Sequence, residues 1–265
     1  LFGLGGQYDI TKDINIYTGW SQAYRPVIFK DIIPASIYEI SDKNLKDAYG
    51  YNAELGFRGK WKNIKWDVNA FNLQYNNRLG TLAQSDSSGN LIIFRTNIGD
   101  SRTSGLEMFL QGDISVSKNC MLSLFTSTSF MDAKYHNATL RSGNSNVSIE
   151  GNKVESVPAW ISRNGLSFTY SVYSLSVLYS YTSDSYADAL NAELPSSTAA
   201  TGLVPSYQLL DLNLAFKISN SIKLQINANN LLDAHYFTKR PQFYPGPGIW
   251  PSDGRTFSGT IAIKI

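Results

Sequence analysis

The chain has 265 residues and a formal net charge of +2, with 23 Lys and Arg against 21 Asp and Glu. So even a balance, without a basic run, gives no footprint for nucleic acid, and no such partner is expected. Charged residues make up 17%, well under the roughly 25% of an ordinary soluble domain. Aromatics reach 13%, and 20 residues are Gly, which suits many short strands joined by turns better than it suits helices. No window holds the ~18 consecutive apolar residues of a spanning helix, which excludes a helical membrane protein but leaves a barrel open. Cys120 is the one cysteine, so there is no internal disulfide framework. The opening Leu1-Phe2-Gly3-Leu4-Gly5-Gly6 has neither an initiator Met nor a signal-peptide pattern, so a fragment or processed piece is expected.

Period-two alternation predicts about 11 strands, near 2–10, 14–25, 48–59, 64–77, 101–114, 119–134, 160–171, 174–186, 206–217, 222–237 and 255–265. The third strand sets Tyr49, Tyr51, Leu55 and Phe57 against Asn52, Glu54 and Arg58. The fifth sets Leu106, Met108 and Leu110 against Glu107, Gln111 and Asp113. The ninth is the cleanest, with Leu210, Leu212, Leu214 and Phe216 opposite Asp211, Asn213 and Lys217. In the tenth, Ile222, Leu224, Ile226 and Ala228 oppose Lys223, Gln225, Asn227 and Asn229. Many of these runs are ~9 to 12 residues, the length a tilted strand needs to cross a bilayer.

Short links at 11–13, 60–63, 115–118, 172–173 and 217–221 alternate with long loops at 26–47, 78–100, 135–159, 187–205 and 238–254. Such alternation is expected of an antiparallel up-and-down transmembrane β-barrel with periplasmic turns and extracellular loops. Tyr8, Trp61, Tyr170 and Tyr173 fall at the short-turn edge. Trp20, Tyr24, Tyr75, Tyr181, Tyr186 and Tyr236 fall towards the long-loop edge, and the two groups predict paired aromatic girdles. There is no enzyme constellation: His136 and His235 lack partners at metal-ligand spacing, and no Ser has a nucleophile-elbow context.

Several motifs, in order along the chain, resemble the C-terminal barrel half of TonB-dependent receptors. They are Asn15-Ile16-Tyr17-Thr18-Gly19-Trp20, Glu54-Leu55-Gly56-Phe57-Arg58-Gly59, Asn97-Ile98-Gly99 with Gly105-Leu106-Glu107, Val157-Pro158-Ala159-Trp160, Asn230-Leu231-Leu232-Asp233-Ala234-His235-Tyr236, and Gly254-Arg255-Thr256-Phe257. The segments 25–29 and 244–254 further resemble the ferric-dicitrate branch.

The resemblance implies residues 1–265 as one C-terminal portion of a 22-stranded Gram-negative outer-membrane barrel, without the plug domain that fills its lumen. It implies no cofactor, with a ferric chelate (ferric citrate or another siderophore) as transported ligand. The TonB complex would act through the plug, and lipid and lipopolysaccharide would surround the wall. An anionic chelate would call for Arg25, Lys30, Arg95, Lys239, Arg240 and Arg255, with Gln242, Tyr244 and Trp250 at the mouth. Glu54, Arg58, Glu107, Asp211 and Asn227 would line the lumen and bond the plug.

Overall fold

A computed structural model of the chain describes residues 1–34, 36–85, 89–241 and 247–264. Eleven strands form its wall: β1 (Gly3–Thr11), β2 (Ile14–Arg25), β3 (Ala48–Trp61), β4 (Ile64–Ser85), β5 (Leu91–Ser117), β6 (Cys120–His136), β7 (Trp160–Tyr170), β8 (Tyr173–Thr182), β9 (Tyr207–Lys217), β10 (Ile222–Asn229) and β11 (Thr256–Ile263). Each pairs with the next in sequence, so the sheet is one antiparallel meander, and the short strand Glu39–Ser41 adds to β5 in parallel. The all-β, up-and-down expectation is thus met. Among the described residues no helix is long and apolar enough to cross a membrane.

Register converts the alternation of each strand into two continuous faces. Ile64, Gly112, Leu124, Leu166, Val177, Leu212, Ala228 and Phe257 are successive cross-strand partners from β4 to β11, a row with no polar side chain. One residue along each strand from β5 onward, the row reads Asp113, Ser123, Ser167, Ser176, Asn213, Asn227 and Ser258, with no apolar one. Neighbouring residues of a strand point to opposite faces, so these rows lie back to back. The polar row bonds along its length. Ser123 Oγ donates to Asp113 at 2.7 Å, Ser167 pairs with Ser176 at 3.0 Å, and Asn227 links Asn213 to Ser258. The other face leaves Leu55, Leu106, Leu124, Leu214, Ile226 and Ile261 exposed, a broader apolar surface than water-soluble proteins carry and one suited to hydrocarbon.

Glycines in the wall are seats for aromatic rings. Gly56 faces Tyr17, Gly59 faces Trp66, Gly105 faces Phe71 and Gly165 faces Phe125, each as a direct cross-strand partner. A Cβ on Gly105 would come within 2.5 Å of the Phe71 ring and 2.7 Å of the Phe130 carbonyl oxygen. The ring covers backbone that a glycine leaves bare, and it pins the register.

Three differences from the expectation have local causes. The predicted loop 78–100 is largely strand, because β4 and β5 keep pairing through a register shift near Arg78 and run on to Ser85 and Leu91. The tenth strand stops at Asn229 rather than 237, since Asn230 and Asp233 take left-handed backbone conformations. Tyr75 shares the polar face with Ser101 and Tyr135 instead of joining a girdle. The outer girdle near the long-loop edge is built by Trp160 stacked on Phe130 at 5.6 Å and touching Tyr181 at 4.7 Å. Where the end of β6 meets the loop that follows it, Ala133, Tyr135, Ala138, Ile149 and Val154 make a small buried core, with Ile149 at 0% exposure.

Gly105→Ala should destabilise the wall by about 1–3 kcal/mol, because a backbone carbonyl blocks the new methyl. Gly112→Ala, whose Cβ would meet nothing within 4 Å, should be neutral. Urea unfolding in micelles, followed by tryptophan fluorescence, separates the two variants; equal stability would contradict the seating argument.

Candidate functional site

The polar face and the long-loop end that crowns it make up the site. By register Glu54, Arg58, Glu107, Asp211 and Asn227 all lie on this face. Asp67 is the junction of its best-ordered cluster. Its carboxylate accepts from Tyr17 Oη at 2.8 Å and from Arg58 Nε at 2.8 Å, while the Arg58 guanidinium sits 4.8 Å over the Tyr17 ring. Asn69 donates to Glu54 at 3.4 Å. Tyr17, Asp67, Asn69, Glu107, Ser127 and Arg163 border one shallow recess, so both charge signs meet there. Asp211 accepts the Asn230 N–H at 2.8 Å and thereby ends the strand beside it.

Arg25 and Arg95 come together at the crown, but each is occupied by a carboxylate of loop 26–47. Arg25 Nη2 holds both oxygens of Asp31 at 3.1 and 3.0 Å, and Arg95 Nε reaches Glu39 at 2.6 Å. Asp31 and Glu39 are 6% and 8% exposed, so these pairs are largely shielded from water. Burial pushes the Asp31 carboxyl up, but the bonds from Arg25 and the Ile28 N–H, with the charges of Arg25 and Arg95, outweigh it and hold it below the usual range. Asp42 is held low by the Asn44 N–H and Thr96 hydroxyl, and Asp47 by the Tyr24 hydroxyl and the Val27 N–H. Asn97 bonds Lys46 in both directions. Loop 26–47 is therefore stitched onto β2 and β5 by its own acids. Lys30, on the single-turn helix α1 (Phe29–Ile32), stays exposed beside them.

Other loops are tied in the same manner. Arg78 donates to Ser101 at 2.7 Å, lies 3.7 Å from Glu155, and stacks on Tyr75 and Tyr135 at 5.0 and 5.1 Å. The Tyr135 hydroxyl in turn donates to Glu155 at 2.6 Å. Arg240 donates to the carbonyls of Leu203 and Ala199 at 3.1 and 2.9 Å and covers the Phe237 ring, joining two loops. Lys239 and Trp250 face each other across a short ladder, both exposed. Arg255 pairs with Asp233 at 3.4 Å. Gln242 and Tyr244 lie outside the described residues.

A family model described as "TonB dependent receptor-like, beta-barrel" matches residues 1–231. The chain belongs to this family. A curated relative, the probable TonB-dependent siderophore receptor PiuA of Acinetobacter baumannii, is 31% identical over 147 residues, which are 54% of this chain and 18% of that protein. The crystal structure of PiuA from Acinetobacter baumannii matches with a TM-score of 0.73 at 19% identity, covering 98% of this chain and 35% of that one. The ferric citrate transporter FecA, unliganded, matches at 0.76 and 18% identity, covering 98% and 37%. The copper transporter OprC matches at 0.68 and 13%. At such identities these structures show the fold alone, and the chain spans well under half of each relative.

In this TonB-dependent receptor wall the motifs acquire physical roles. Gly56 and Gly59 of the segment 54–59 seat Tyr17 and Trp66, and Arg58 completes the Asp67 cluster. Asn230 is 4% exposed and closes a turn by bonding the Ala234 N–H and C=O at 2.9 Å each. Asp233 then reaches Arg255, so the last two motifs are halves of one contact. Sequence reasoning missed Arg78, Asp31, Glu39 and Asp47, since nothing in the alternation says which strand group a loop acid will meet, whether six residues away as for Asp31 or 56 as for Glu39.

Loop docking should depend on pH. The three lowered carboxyls stabilise the docked loop fully above their unfolded value of about 3.9, and that contribution is lost as pH falls through their folded values. Hydrogen exchange at the Val27 and Asp42 amides, corrected for intrinsic rates, should show protection at neutral pH that falls away below about pH 4. Asp31→Asn should loosen the loop even at neutral pH. Protection unchanged in acid and in the variant would contradict the clamp.

Proposed function

We propose that this chain is the far half of the barrel of a Gram-negative outer-membrane receptor that imports a ferric chelate, ferric citrate or another siderophore. Long loops face the medium, short turns face the periplasm, and the polar face lines the lumen. A plug carried elsewhere in the full receptor bonds that face and passes on the action of the TonB complex. The observation that carries the reading is the polar row of that face, unbroken from Asp113 on β5 to Ser258 on β11, below a cation-bearing crown. A passage for a hydrophilic, anionic cargo needs that combination. Membership of the family and the siderophore and ferric citrate names of its relatives support the choice of cargo.

The division of labour at the crown follows from which cations are already engaged within the protein. Arg25, Arg95, Arg240 and Arg255 hold the loops together, while Lys30 and Lys239 are open to an incoming anion, with Trp250 beside Lys239. Calorimetry on the full-length receptor with ferric citrate should find binding that Lys30→Ala and Lys239→Ala each weaken by roughly threefold, the size expected of exposed attractions. Undiminished affinity in both variants would overturn the assignment. Absence of binding to ferric citrate, with binding of another ferric siderophore, would replace the cargo and keep the passage.

A further inference from the structure

The two ends of the wall treat their cations differently. At the long-loop end the arginines meet carboxylates: Arg25 with Asp31, Arg95 with Glu39, Arg78 with Glu155 and Arg255 with Asp233. At the short-turn end of β9, β10 and β11 no carboxylate among the described residues does this. Lys217 and Lys223 are direct cross-strand partners, an opposition of like charges that destabilises a sheet. Lys223 faces Ala262, which places Lys264 on the same side, and the Lys264 N–H donates to Ser221 at 2.8 Å. All three lysines are exposed, and they border one recess with Ser171, Ser174 and Ser219 and without an acidic residue. None takes part in an ion pair among the described residues.

From this we infer that the Lys217–Lys223–Lys264 rim docks an acidic polypeptide segment of a periplasmic partner. Three lysines bordering one recess with hydroxyl donors suit carboxylates arriving one after another along a chain. Register argues against a lipid phosphate. The lysines share the face of Asn213, Gln225 and Asn227, while Leu214, Leu224 and Ile226 occupy the other. An acid bound between Lys217 and Lys223 turns their repulsion into shared attraction. The periplasmic placement rests on the orientation proposed above; the recess itself does not.

The test uses the full-length receptor in phosphatidylcholine nanodiscs, which leave both ends of the barrel open and so do not depend on orientation. A fluorescent Glu-rich peptide should bind, with affinity falling as salt rises, and a Gln-rich peptide of equal length should not. The double variant Lys217→Gln/Lys223→Gln should weaken binding by roughly fivefold to tenfold, and Lys264→Gln by less. Lys62→Gln, on another short turn, should leave it unchanged. The double variant should melt no lower than the wild type, because a repulsion has been removed. Undiminished peptide binding in the double variant and in Lys264→Gln, or no binding by the wild type, would overturn the inference.

Discussion

A backbone amide in hydrocarbon has no water to turn to, so every N–H and C=O of a spanning segment must be paired within the protein. Strand pairing in register is the interaction on which this wall depends. Once β4 to β11 are paired, neighbouring residues must point opposite ways, and a strand can serve two solvents at once. The back-to-back rows at Leu212 and Asn213 are that rule carried across the sheet. A slip of one residue in any strand would place serines and asparagines against lipid and leucines against the lumen, so each register is strongly specified. The ring-on-glycine seats, Tyr17 on Gly56 and Phe71 on Gly105, strengthen that specification where side chains are small.

The loops obey different physics. Above the apolar band water is available again, and the long connections hold together through charge pairs and a small core around Ile149. Loop 26–47 is built on acids that reach back to strand arginines, so its position depends on charge in a way the wall does not. A receptor can therefore combine a rigid passage with an adjustable mouth. The arginines of that mouth are structural in this arrangement, while Lys30 and Lys239 stay exposed.

Strand positions were legible because alternation is a local pattern: β2 runs over the predicted 14–25, and β9 begins one residue late. The shared face of Glu54, Arg58, Glu107, Asp211 and Asn227 was legible for the same reason. Contacts between distant segments were not. Arg25 and Arg95 look like ligand-binding arginines in sequence, and only the fold brings Asp31 and Glu39 onto them. The hairpin beyond Arg78 escaped because its register shift breaks the period on which the reading relied. Asn230 and Asp233 stood out as a motif, yet their use as a strand stop and as the partner of Arg255 needed the turn geometry.

The central claim is that one sheet face meets lipid and the other lines the lumen of the barrel. Spin labels placed singly at positions 209 to 216 of β9, in the full-length receptor in lipid bilayers, test it most directly. Collision with dissolved oxygen should peak at Leu210, Leu212, Leu214 and Phe216 and dip at Leu209, Asp211, Asn213 and Ala215. Peaks at the odd positions, or no period of two, would contradict the account.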